Sequence, residues 1–348
     1  MNQKKNLRIK RYYSIIAHSP NVVELRHGVW NPISFTLTDE DQSGHLFKLL
    51  TRLDGSLSPS ELAKVENMSQ AEVEALLDHL IELGVVESGS SSSLDYYLDH
   101  IVPTLQSAES KSPPNLPVVL IGDPDLTLEI QRYLKASLPD TDITVAHAHD
   151  PAWSVLLEHD ASWLMNGIAF QQKMGIFEQW QNKFLVFASK VINPIQFHIL
   201  NRICLELRIP WIHAAIDGPF LFIGPTFVPH RSACYECFET RIIMNLRENT
   251  SYQRYKQALV EGQIKYGQLP VESVLLGLLS SHTALDSLNY ILTGSSFTVN
   301  KVLAIYLPTM EFTFNEVLRV PSCAACSASS ERDDRELYFD IRALLQAQ

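Results

Sequence analysis

Two identically spaced pairs of cysteines constrain this chain more than any other feature. Cys234 and Cys237 form the first pair, and Cys323 and Cys326 form the second. A CxxC spacing on a turn or at a helix start directs both sulfur atoms the same way, and two pairs supply the four thiolates of a tetrahedral zinc shell. A closed shell leaves no position for a catalytic water. The sequence therefore predicts a structural zinc site that holds a late segment against a domain begun much earlier.

The same cysteines have two other interpretations. Four thiols also suit two disulfides, and a single CxxC pair suits a thioredoxin-like redox site. The chain begins Met1-Asn2-Gln3-Lys4-Lys5 without an apolar signal segment, which predicts a cytoplasmic protein, and disulfides are rare in the reducing cytosol. We therefore prefer zinc. The fifth cysteine, Cys204, lies in an apolar helical pattern and is predicted to be a small core residue.

Composition restricts the classes of function that are open to the chain. The 348 residues are enough for two or three domains, and the net charge of −11 disfavours a nucleic-acid or membrane surface. Glycine contributes only 14 residues, below the usual share of about 7%, so phosphate-binding loops have few places to form. The most apolar stretch, 271–292, contains Glu272, His282 and Asp286, which predicts a buried helix instead of a membrane span.

Residues 1–90 are predicted to form a small winged-helix-like domain of three strands followed by three helices. The strands are predicted over 11–17, 22–27 and 33–37. Leucines with helical spacing follow over 46–53. Two capping boxes, Ser58 with Glu61 and Ser69 with Glu72, then begin two further helices.

The acidic character of the last of these helices argues against DNA binding. Its polar positions are Glu72, Glu74, Asp78, His79 and Glu82. A recognition helix that enters a groove between phosphates is expected to carry Arg and Lys. Two interpretations remain. One is a small packing domain with a solvated acidic face, and the other is a clamp that accepts an extended peptide at an unpaired strand edge beside a helix.

Eight residues are the candidate peptide contacts of such a clamp. Four lie on the predicted edge strand and four on the apolar side of the last helix: Ser34, Phe35, Thr36, Leu37, Val73, Leu76, Leu77 and Leu80. The strand would pair with the peptide backbone through its free amides. The helix would supply a groove for the peptide's side chains.

The rest of the chain has the pattern of an α/β protein. Residues 91–115 are predicted to form a helix and a linker, and 116–348 a doubly wound α/β domain. Apolar runs that are typical of buried parallel strands lie over 117–122, 143–146, 184–188 and 211–215 and alternate with helical segments. The helix after the first strand is predicted over 127–138.

The first turn of this predicted sheet is a poor nucleotide site. Its sequence is Gly122-Asp123-Pro124-Asp125-Leu126, with one glycine where a nucleotide-binding loop needs about three. Its two carboxylates place negative charge where phosphates would lie, and Pro124 has no amide donor. We therefore do not expect ATP or a dinucleotide to bind this chain.

Two segments of the chain resemble one known family. They are 223–237, which is Ile-Gly-Pro-Thr-Phe-Val-Pro-His-Arg-Ser-Ala-Cys-Tyr-Glu-Cys and is followed by Arg241, and 316–326, which is Glu-Val-Leu-Arg-Val-Pro-Ser-Cys-Ala-Ala-Cys. Both are similar to the ThiF-like, ubiquitin-activating-enzyme-like subunits that are partners of YcaO cyclodehydratases, which make azoline rings in ribosomal peptides. That family carries an N-terminal winged-helix-like leader-peptide recognition element and then a ThiF-like domain with a zinc tetrathiolate. This order of parts fits nearly the whole chain.

Departures from the family's pattern bear on catalysis. Active ThiF-like adenylating enzymes carry an Asp-Asn-Phe-x-x-Arg-x-x-x-Asn run, whose end matches Asn201. Counting back places Ile192 at the Asp position, Asn193 at the Asn position and Phe197 at the Arg position. The two groups that would hold metal and phosphate are therefore apolar here. The resemblance then implies a domain that kept its scaffold and lost adenylation.

What the resemblance implies is a non-catalytic chain that binds the leader of a precursor peptide and presents the peptide's core to a YcaO-type cyclodehydratase, which it also activates allosterically. The implied partners are the leader, the YcaO enzyme and a flavin dehydrogenase of the same complex, and a homodimer is compatible with the pattern. The alternative is an active ThiF-like enzyme that adenylates a peptide or a carrier protein. A transcriptional regulator is a third reading, which the acidic helix disfavours.

Other polar side chains form no recognised catalytic motif. His213 and Asp217 have no spacing that identifies a nucleophile with its base, and P-loop, GxSxG and HExxH motifs are absent from the sequence. His230, just before Cys234, is interpreted as a surface or packing residue, with a role as a spare ligand or beside the metal as the alternative. The basic, aromatic stretch 252–256 is interpreted as a solvated face or a face for an acidic partner.

Overall fold

The computed structural model describes residues 7–89, 92–105, 116–147, 149–158, 160–267 and 269–327, without the side chains of 99–104. It divides between Val102 and Pro103 into two compact units, which are described separately here. The predicted first domain boundary, at residue 90, lies twelve residues before this division. The end of the predicted linker, 111–115, lies outside the described residues.

The N-terminal unit contains the predicted order of three strands followed by three helices, with one short strand before them and a short strand and a fourth helix after them. In chain order its elements are β1 (Leu7–Ile9), β2 (Ser14–Ser19), β3 (Val22–His27), β4 (Ile33–Thr38), α1 (Leu46–Arg52), α2 (Pro59–Glu66), α3 (Gln70–Glu82), β5 (Val86–Ser88) and α4 (Ser93–Leu105). An antiparallel sheet has the strand order β2-β3-β4. A separate two-stranded ribbon of β1 and β5 was not predicted, because each strand is only three residues long.

Both predicted capping boxes are present at the starts of α2 and α3. The side chains of Ser58 and Ser69 accept hydrogen bonds from the amides of Glu61 and Glu72. The two glutamate carboxylates accept from the serine amides in return, at 2.8 and 2.9 Å. The leucines of α1 that follow a helical spacing are buried in the core of this unit, together with the apolar side of α3 and the inner face of the sheet.

The second unit is a mixed α/β structure around one large sheet. In chain order its elements are β6 (Val118–Gly122), α5 (Pro124–Ser137), β7 (Ile143–Val145), α6 (Pro151–Leu156), α7 (Gly167–Phe177), β8 (Phe184–Ser189), α8 (Pro194–Leu207), β9 (Trp211–Asp217), β10 (Phe220–Phe227), α9 (Tyr235–Asn245), α10 (Asn249–Val260), α11 (Ser273–Thr293), β11 (Lys301–Tyr306) and β12 (Glu311–Glu316). The four predicted strands of this region are all present.

The seven strands lie in the order β12-β11-β10-β9-β8-β6-β7. The pairs β7-β6, β6-β8 and β8-β9 are parallel, as predicted for buried apolar runs separated by helices. The pairs β9-β10, β10-β11 and β11-β12 are antiparallel. These last three strands were not predicted, so the sheet is only partly of the doubly wound parallel type.

Helices pack on both faces of the parallel strands. On one face, α6, α7, α8 and α9 bury apolar side chains against Val119, Ile121, Leu185, Phe187 and Trp211. Residues two apart on a strand share a face, so the buried Val118 and Leu120 point to the other side, where α5 packs on β6 and α11 packs on α5. The strand ends are thereby left at the edge of the layered structure.

α11 is the helix predicted from the most apolar stretch of the chain. The buried carboxylate of its Asp286 accepts hydrogen bonds from the amide of Phe297, at 3.0 Å, and from the hydroxyl of Thr226, at 3.2 Å. Within the described ranges, no helix has the length and apolar character needed to cross a membrane. The helix is therefore an internal element of the α/β unit.

Candidate functional site: a four-cysteine metal centre

The four predicted metal-ligating cysteines come together in the α/β unit. Their sulfur atoms all lie within 4.8 Å of one another, and all four residues are buried. The Sγ–Sγ distances are 3.9 Å for Cys234 and Cys237, 3.7 Å for Cys234 and Cys323, and 3.5 Å for Cys237 and Cys326. Two cysteine pairs that are 89 residues apart in sequence therefore form one cluster.

These distances can be tested against the size of a zinc ion. With Zn–S bonds of about 2.3 Å, the sulfur atoms of a regular tetrahedron lie about 3.8 Å apart. The three Sγ–Sγ distances are close to this value, and they are much longer than the ~2.05 Å of a disulfide bond. All five cysteines are free thiols in this structure. The donor set and its spacing fit a closed tetrahedral thiolate site.

Electrostatics also favours a cation among these sulfur atoms. Hydrogen bonds with Cys237 and Cys326, together with burial, raise the pKa of the Cys234 thiol. The same neighbouring thiols, by hydrogen-bonding to the sulfur of Cys237, lower the pKa of Cys237. Four thiols packed this closely interact, so they do not ionise independently of one another. A divalent cation is what allows all four to ionise together.

Local structure positions the first cysteine pair at the start of α9. Cys234 is the residue before the first turn, so Cys237 lies one turn later on the same side. The amide of Tyr235 donates to the side-chain oxygen of Asn201, and the amide of Ala233 donates to that of Asn300, each at 2.9 Å. The buried Asn201 and the half-buried Asn300 therefore fix the backbone on both sides of Cys234.

The second pair lies on a loop that follows β12. The amide of Val320 donates to the sulfur of Cys237 at 3.3 Å, and the amide of Cys323 donates to the carbonyl of Val320 at 3.1 Å. The guanidinium of Arg319 donates to the backbone carbonyls of His230 and Cys326. The late segment is therefore held against α9 at the cluster, as the sequence predicts.

His230 is not part of the cluster. Its Nε2 atom lies 3.3 Å from the carbonyl oxygen of Leu205. Its backbone has φ of 63°, and its carbonyl accepts from Arg319. His230 is exposed and lies outside the four-cysteine cluster, so a role at the surface fits its position. Cys204 is a buried core residue, as predicted.

A charged network that was not predicted from the sequence lies beside the cysteine cluster. Glu239, on α9, is 5% exposed and accepts hydrogen bonds from the hydroxyl of Tyr252 at 2.7 Å and from the ammonium of Lys256 at 2.9 Å. Its carboxylate also lies 2.8 Å from Nε2 of His198. Burial opposes ionisation, but the hydrogen bonds and charges of His198, Lys256 and Tyr252 lower the pKa of Glu239 to about 2.

The network changes the interpretation of the basic stretch 252–256. Tyr252 and Lys256 are four residues apart, so they share one side of α10 and both turn toward Glu239. That i, i+4 spacing was the available signal. The expectation of a wholly solvated or partner-facing patch is wrong for these two residues, because they hold α10 against α9.

The predicted nucleotide position lies where β6 meets α5. The helix begins at Pro124, three residues before its predicted start, so Pro124 fills a first-turn position where a missing amide leaves no helical bond unmade. The Asp123 carboxylate accepts a hydrogen bond from the amide of Lys190, and the Lys190 ammonium pairs with Asp125. Carboxylates therefore lie at the helix N-terminus, which is the end that would bind a phosphate.

Gly122 is required by the sheet and not by a phosphate. Its φ is 124°, and a Cβ atom at this position would lie 1.8 Å from the carbonyl oxygen of Ala188 on the neighbouring strand β8. The close approach of two strands therefore explains the single glycine of this turn.

The three positions aligned with the adenylation motif have structural roles. Asn193 caps α8 by accepting a hydrogen bond from the amide of Ile195, at 3.0 Å. Phe197 is 1% exposed, and its ring lies edge-on to that of Phe187 at 5.1 Å between centroids. The carbonyl of Ile192 accepts from the hydroxyl of Tyr255 at 3.2 Å. None of the three presents a charged side chain.

His213 is buried without a charge partner. Burial lowers its pKa to about 3, and its Nδ1 atom has no hydrogen-bond partner. Its ring lies 5.1 Å from that of Phe197, centroid to centroid. His213 is therefore a neutral core residue at ordinary pH, with the environment of a packing residue.

In the N-terminal unit, β4 is an edge strand with free backbone groups. The amide of Asp39 donates to the carbonyl of Asn21 at 2.8 Å, which sets the hydrogen-bonded pairs with β3 at the odd-numbered residues of β4. Ser34 and Thr36 therefore direct their N–H and C=O groups away from β3. In the part of the chain that the structure describes, no strand pairs with that side.

The eight predicted peptide contacts differ in exposure. Ser34 and Thr36 are exposed, Phe35 is half-buried and Leu37 is buried. On α3, Leu76 is half-buried, whereas three residues have no exposed surface and belong to the core: Val73, Leu77 and Leu80. A peptide on the present surface would reach Leu76 and not these three.

The end of β4 lies close to the start of α3. Hydrogen bonds from the amide and hydroxyl of Ser69 lower the pKa of Glu72, while the nearby carboxylate of Asp39 opposes that effect. Asp39 directly follows β4, and Glu72 is in the first turn of α3. Asp39, after β4, and Glu72, at the start of α3, therefore both contribute negative charge to this part of the unit.

Comparison with known proteins finds likeness in structure alone. No protein-family model and no curated protein matches the chain. Among solved structures, a heterocyclase in complex with substrate and cofactor superposes with a TM-score of 0.64 and 15% identity over 94% of this chain and 40% of the other. The heterocyclase TruD gives 0.62 and 17% over 95% of this chain and 44% of TruD.

A third comparison covers nearly the whole of the matched protein. E. coli MccB, in a structure with AMPCPP and MccA, gives a TM-score of 0.52 and 14% identity over 92% of this chain and 99% of MccB. The chain thus spans less than half the length of the heterocyclases it matches and nearly the full length of MccB. These similarities establish that the chain has the mixed α/β fold of heterocyclases and MccB, with a four-cysteine cluster inside it.

Proposed function

We propose that this chain is a leader-peptide-binding scaffold that presents a ribosomal precursor peptide to a separate YcaO-type cyclodehydratase and activates that enzyme. The observation that carries the proposal is the acidic nucleotide position, within a fold that otherwise resembles heterocyclases. Asp123 and Asp125 lie at the N-terminus of α5, where an adenylating enzyme needs donors to phosphate. Within this fold, the acidic turn between β6 and α5 supports the handling of a peptide over adenylation.

The edge of β4 supports the peptide-binding part. Its outward N–H and C=O groups, at Ser34 and Thr36, can pair with an extended leader as an added strand. In this proposal α3 would contribute side-chain contacts to the leader, and Leu76 is the candidate contact of α3 that is not fully buried. The winged-helix-like arrangement of three strands and three helices is the unit that we assign to leader recognition.

Zinc is the metal that we assign to the cysteine cluster. Four buried thiolates and no water position suit a structural Zn²⁺, which would take no part in chemistry. Bound there by Cys234, Cys237, Cys323 and Cys326, the ion would hold the loop after β12 on α9.

The ATP-dependent step belongs to the partner in this proposal. The YcaO-type enzyme would spend ATP to activate a backbone amide, while the side chain of a Cys, Ser or Thr of the substrate attacks it to close an azoline ring. Oxidation of that ring would fall to a flavin dehydrogenase of the same complex. Neither reaction requires a catalytic group on this chain.

The direct test is fluorescence polarisation with a labelled cognate leader peptide. Thr36→Pro removes an outward amide of β4 without removing a β3–β4 hydrogen bond, and proline is tolerated on edge strands. We expect Thr36→Pro to weaken leader binding at least about tenfold, because the leader loses a backbone hydrogen bond that holds it in register on β4. Thr36→Val keeps the amide and is the matched control, with binding unchanged. Equal affinity of both variants for the leader would exclude the edge of β4 as the leader-binding site.

The alternative, an active adenylating enzyme, has its own test. ATP–pyrophosphate exchange by the purified chain with peptide substrates would show adenylation directly. We expect no exchange, because the Ile192 and Phe197 positions supply neither a metal ligand nor a phosphate-binding cation. Exchange above the level of a heat-denatured control would overturn the scaffold assignment.

A further inference from the structure

The outer edge of β12 is unpaired among the strands that the structure describes. The amide of Val317 donates to the carbonyl of Asn300 at 2.8 Å, which sets the hydrogen-bonded pairs with β11 at the odd-numbered residues of β12. Phe312, Phe314 and Glu316 therefore direct their N–H and C=O groups away from β11. A free edge of this kind is a template for one more strand.

One face of this edge is apolar and only partly covered. Phe312 and Phe314 point to the same face and are 48% and 50% exposed. Ile305 and Leu303, which lie opposite them on β11, are buried. The ring of Phe312 lies 5.6 Å from that of His282 on α11, centroid to centroid. The buried apolar layer of the sheet therefore continues onto β12, where two neighbouring rings at a free edge indicate a surface that another segment covers.

A segment with a matching pattern lies later in the same chain. Residues 328–348 are outside the described part of the structure, and within them 337–342 has the sequence Leu-Tyr-Phe-Asp-Ile-Arg. We call 337–342 the tail segment. Its apolar residues Leu337, Phe339 and Ile341 alternate with more polar ones, which is the period of a strand with one apolar face. Tyr, Phe and Ile also favour strands.

The tail segment can reach the edge of β12. The described chain ends at Ser327, and the Arg319 guanidinium donates to the carbonyl of the preceding residue, Cys326. Arg319 is three residues after Glu316, the last residue of β12, so the chain has returned to that end of the strand. The nine residues 328–336 span up to about 30 Å, whereas β12 is about 20 Å long. The tail segment can therefore start at the Glu316 end and run antiparallel to β12.

The side chains of the two segments select one register. In it, three outward-facing residues of β12 lie opposite three apolar residues of the tail segment: Glu316 opposite Leu337, Phe314 opposite Phe339 and Phe312 opposite Ile341. Arg342 then lies opposite Glu311 on the other face, and opposite charges stabilise such a pair. A shift by two residues in one direction places Asp340 opposite Glu311, which joins like charges. A shift by two in the other direction places Phe339 opposite Glu316. A shift by one residue turns the apolar face to the wrong side.

We propose that the tail segment docks on the free edge of β12 of its own chain, as an added antiparallel strand of the large sheet in this register. Its three apolar side chains cover Phe312 and Phe314. A tether of nine residues holds the segment near the edge at an effective concentration of about millimolar, which favours the same molecule over a second copy. The docked tail closes the edge of β12 to pairing with other chains. This inference does not depend on the leader-binding function.

Hydrogen–deuterium exchange of the full-length protein, followed by mass spectrometry, tests the docking. We expect the amides of 337–342 to exchange at least about tenfold more slowly than those of a synthetic peptide of residues 335–344. Phe339→Gln should remove this protection and also speed exchange in 311–317, and Phe314→Gln, on β12 itself, should free the tail segment in the same way. Tyr338→Gln, on the polar face, is the matched control and should leave the protection unchanged.

Two results of this experiment would overturn the proposal. The first is exchange of 337–342 in the wild type as fast as in the synthetic peptide. The second is protection that survives Phe314→Gln, which would place the tail segment elsewhere on the molecule.

A charge exchange tests the register. Glu311→Arg puts two cations opposite one another and should raise exchange in 337–342 by about threefold. Arg342→Glu in the same chain restores an opposite-charge pair and should return exchange to the wild-type rate. A double variant that exchanges as fast as Glu311→Arg would refute the register, and with it the covering of Phe312 and Phe314.

Dilution identifies whose tail occupies the edge. Docking within one chain makes the protection of 337–342 independent of protein concentration, and we expect no change over about a hundredfold dilution. Protection that falls on dilution, together with a dimer in size-exclusion chromatography that Phe339→Gln removes, would assign the edge to the tail of a second copy and overturn docking within the chain.

Discussion

Two helix starts in the α/β unit have opposite chemistry. α9 begins with Cys234 and presents two thiols toward a second pair on a distant loop. α5 begins with Asp123 and Pro124 and presents carboxylates that are already bound to Lys190. Both are places where a helix N-terminus could attract negative charge. At α9, the four sulfur atoms can bind a cation. At α5, the protein's own carboxylates occupy the place where an anion would bind.

The difference separates a site that is built for a ligand from a junction that is complete without one. The cysteine cluster joins segments that are 89 residues apart, so its loss would separate parts of the molecule. The β6–α5 junction is closed by side chains within 70 residues of one another and needs no ligand to be complete. A metal ion bound by the cysteine cluster would therefore link distant segments, whereas the junction is closed by its own side chains. The predictions below test that contrast.

The largest effect is expected at the metal centre. Cys323→Ser removes one thiolate, so the closed shell cannot form and the loop after β12 should detach from α9. We expect bound zinc to fall from about one per chain to nearly none, and the free energy of unfolding to fall by more than about 4 kcal/mol. Elemental analysis and urea unfolding measure the two quantities. Cys204→Ser, at the cysteine outside the cluster, should keep its zinc, and a Cys323→Ser protein with full metal content would contradict the site.

A smaller but still large loss is expected at the β6–α5 junction. Gly122→Ala would place a Cβ atom 1.8 Å from the carbonyl oxygen of Ala188, at a φ of 124°. Clash and backbone strain together should lower the free energy of unfolding by on the order of 3 kcal/mol. Gly267→Ala is the control, since nothing lies within 4 Å of its added Cβ. Wild-type stability in Gly122→Ala would mean that the two strands are farther apart.

His213 should make stability depend on pH. Its pKa is lowered to about 3 in the folded protein, while the unfolded chain binds a proton near the ordinary value of about 6.5. As pH falls below about 6.5, the unfolded state gains a proton that the folded state refuses, so stability falls by up to about 1.4 kcal/mol per pH unit. His213→Phe keeps a ring and removes this titration. Parallel stability curves for the two proteins between pH 7 and 5 would exclude the effect.

The smallest effect is expected at Asp125. Its carboxylate pairs with Lys190, but Asp125 is 60% exposed, so water screens the pair. Asp125→Asn should change the free energy of unfolding by less than about 0.5 kcal/mol. The same variant should still fail to bind ATP in a filtration or calorimetric assay, because Asp123 and Pro124 remain. Tight ATP binding by Asp125→Asn would show that the Asp125 charge alone prevents ATP from binding at the turn between β6 and α5.

Local signals predicted local structure well. The capping boxes at Ser58 and Ser69 were predicted correctly because each is a contact over three residues. The start of α5 was predicted three residues late, since Pro124 was taken as a turn residue when it is a first-turn helix residue. The antiparallel strands β10, β11 and β12 were missed. Their pairing depends on partners far along the chain, and β12 is exposed along its whole length.

The amino-acid sequence by itself determined the four metal-ligating cysteines and the unsuitability of the Gly122 turn for phosphate. Both depend on residue type and short spacing, which a sequence states directly. The tertiary structure alone decided that Phe197 is a core ring and that Glu239 gathers His198, Tyr252 and Lys256. These are contacts between residues of separate elements, and only the packing of helices on the sheet brings these residues close together.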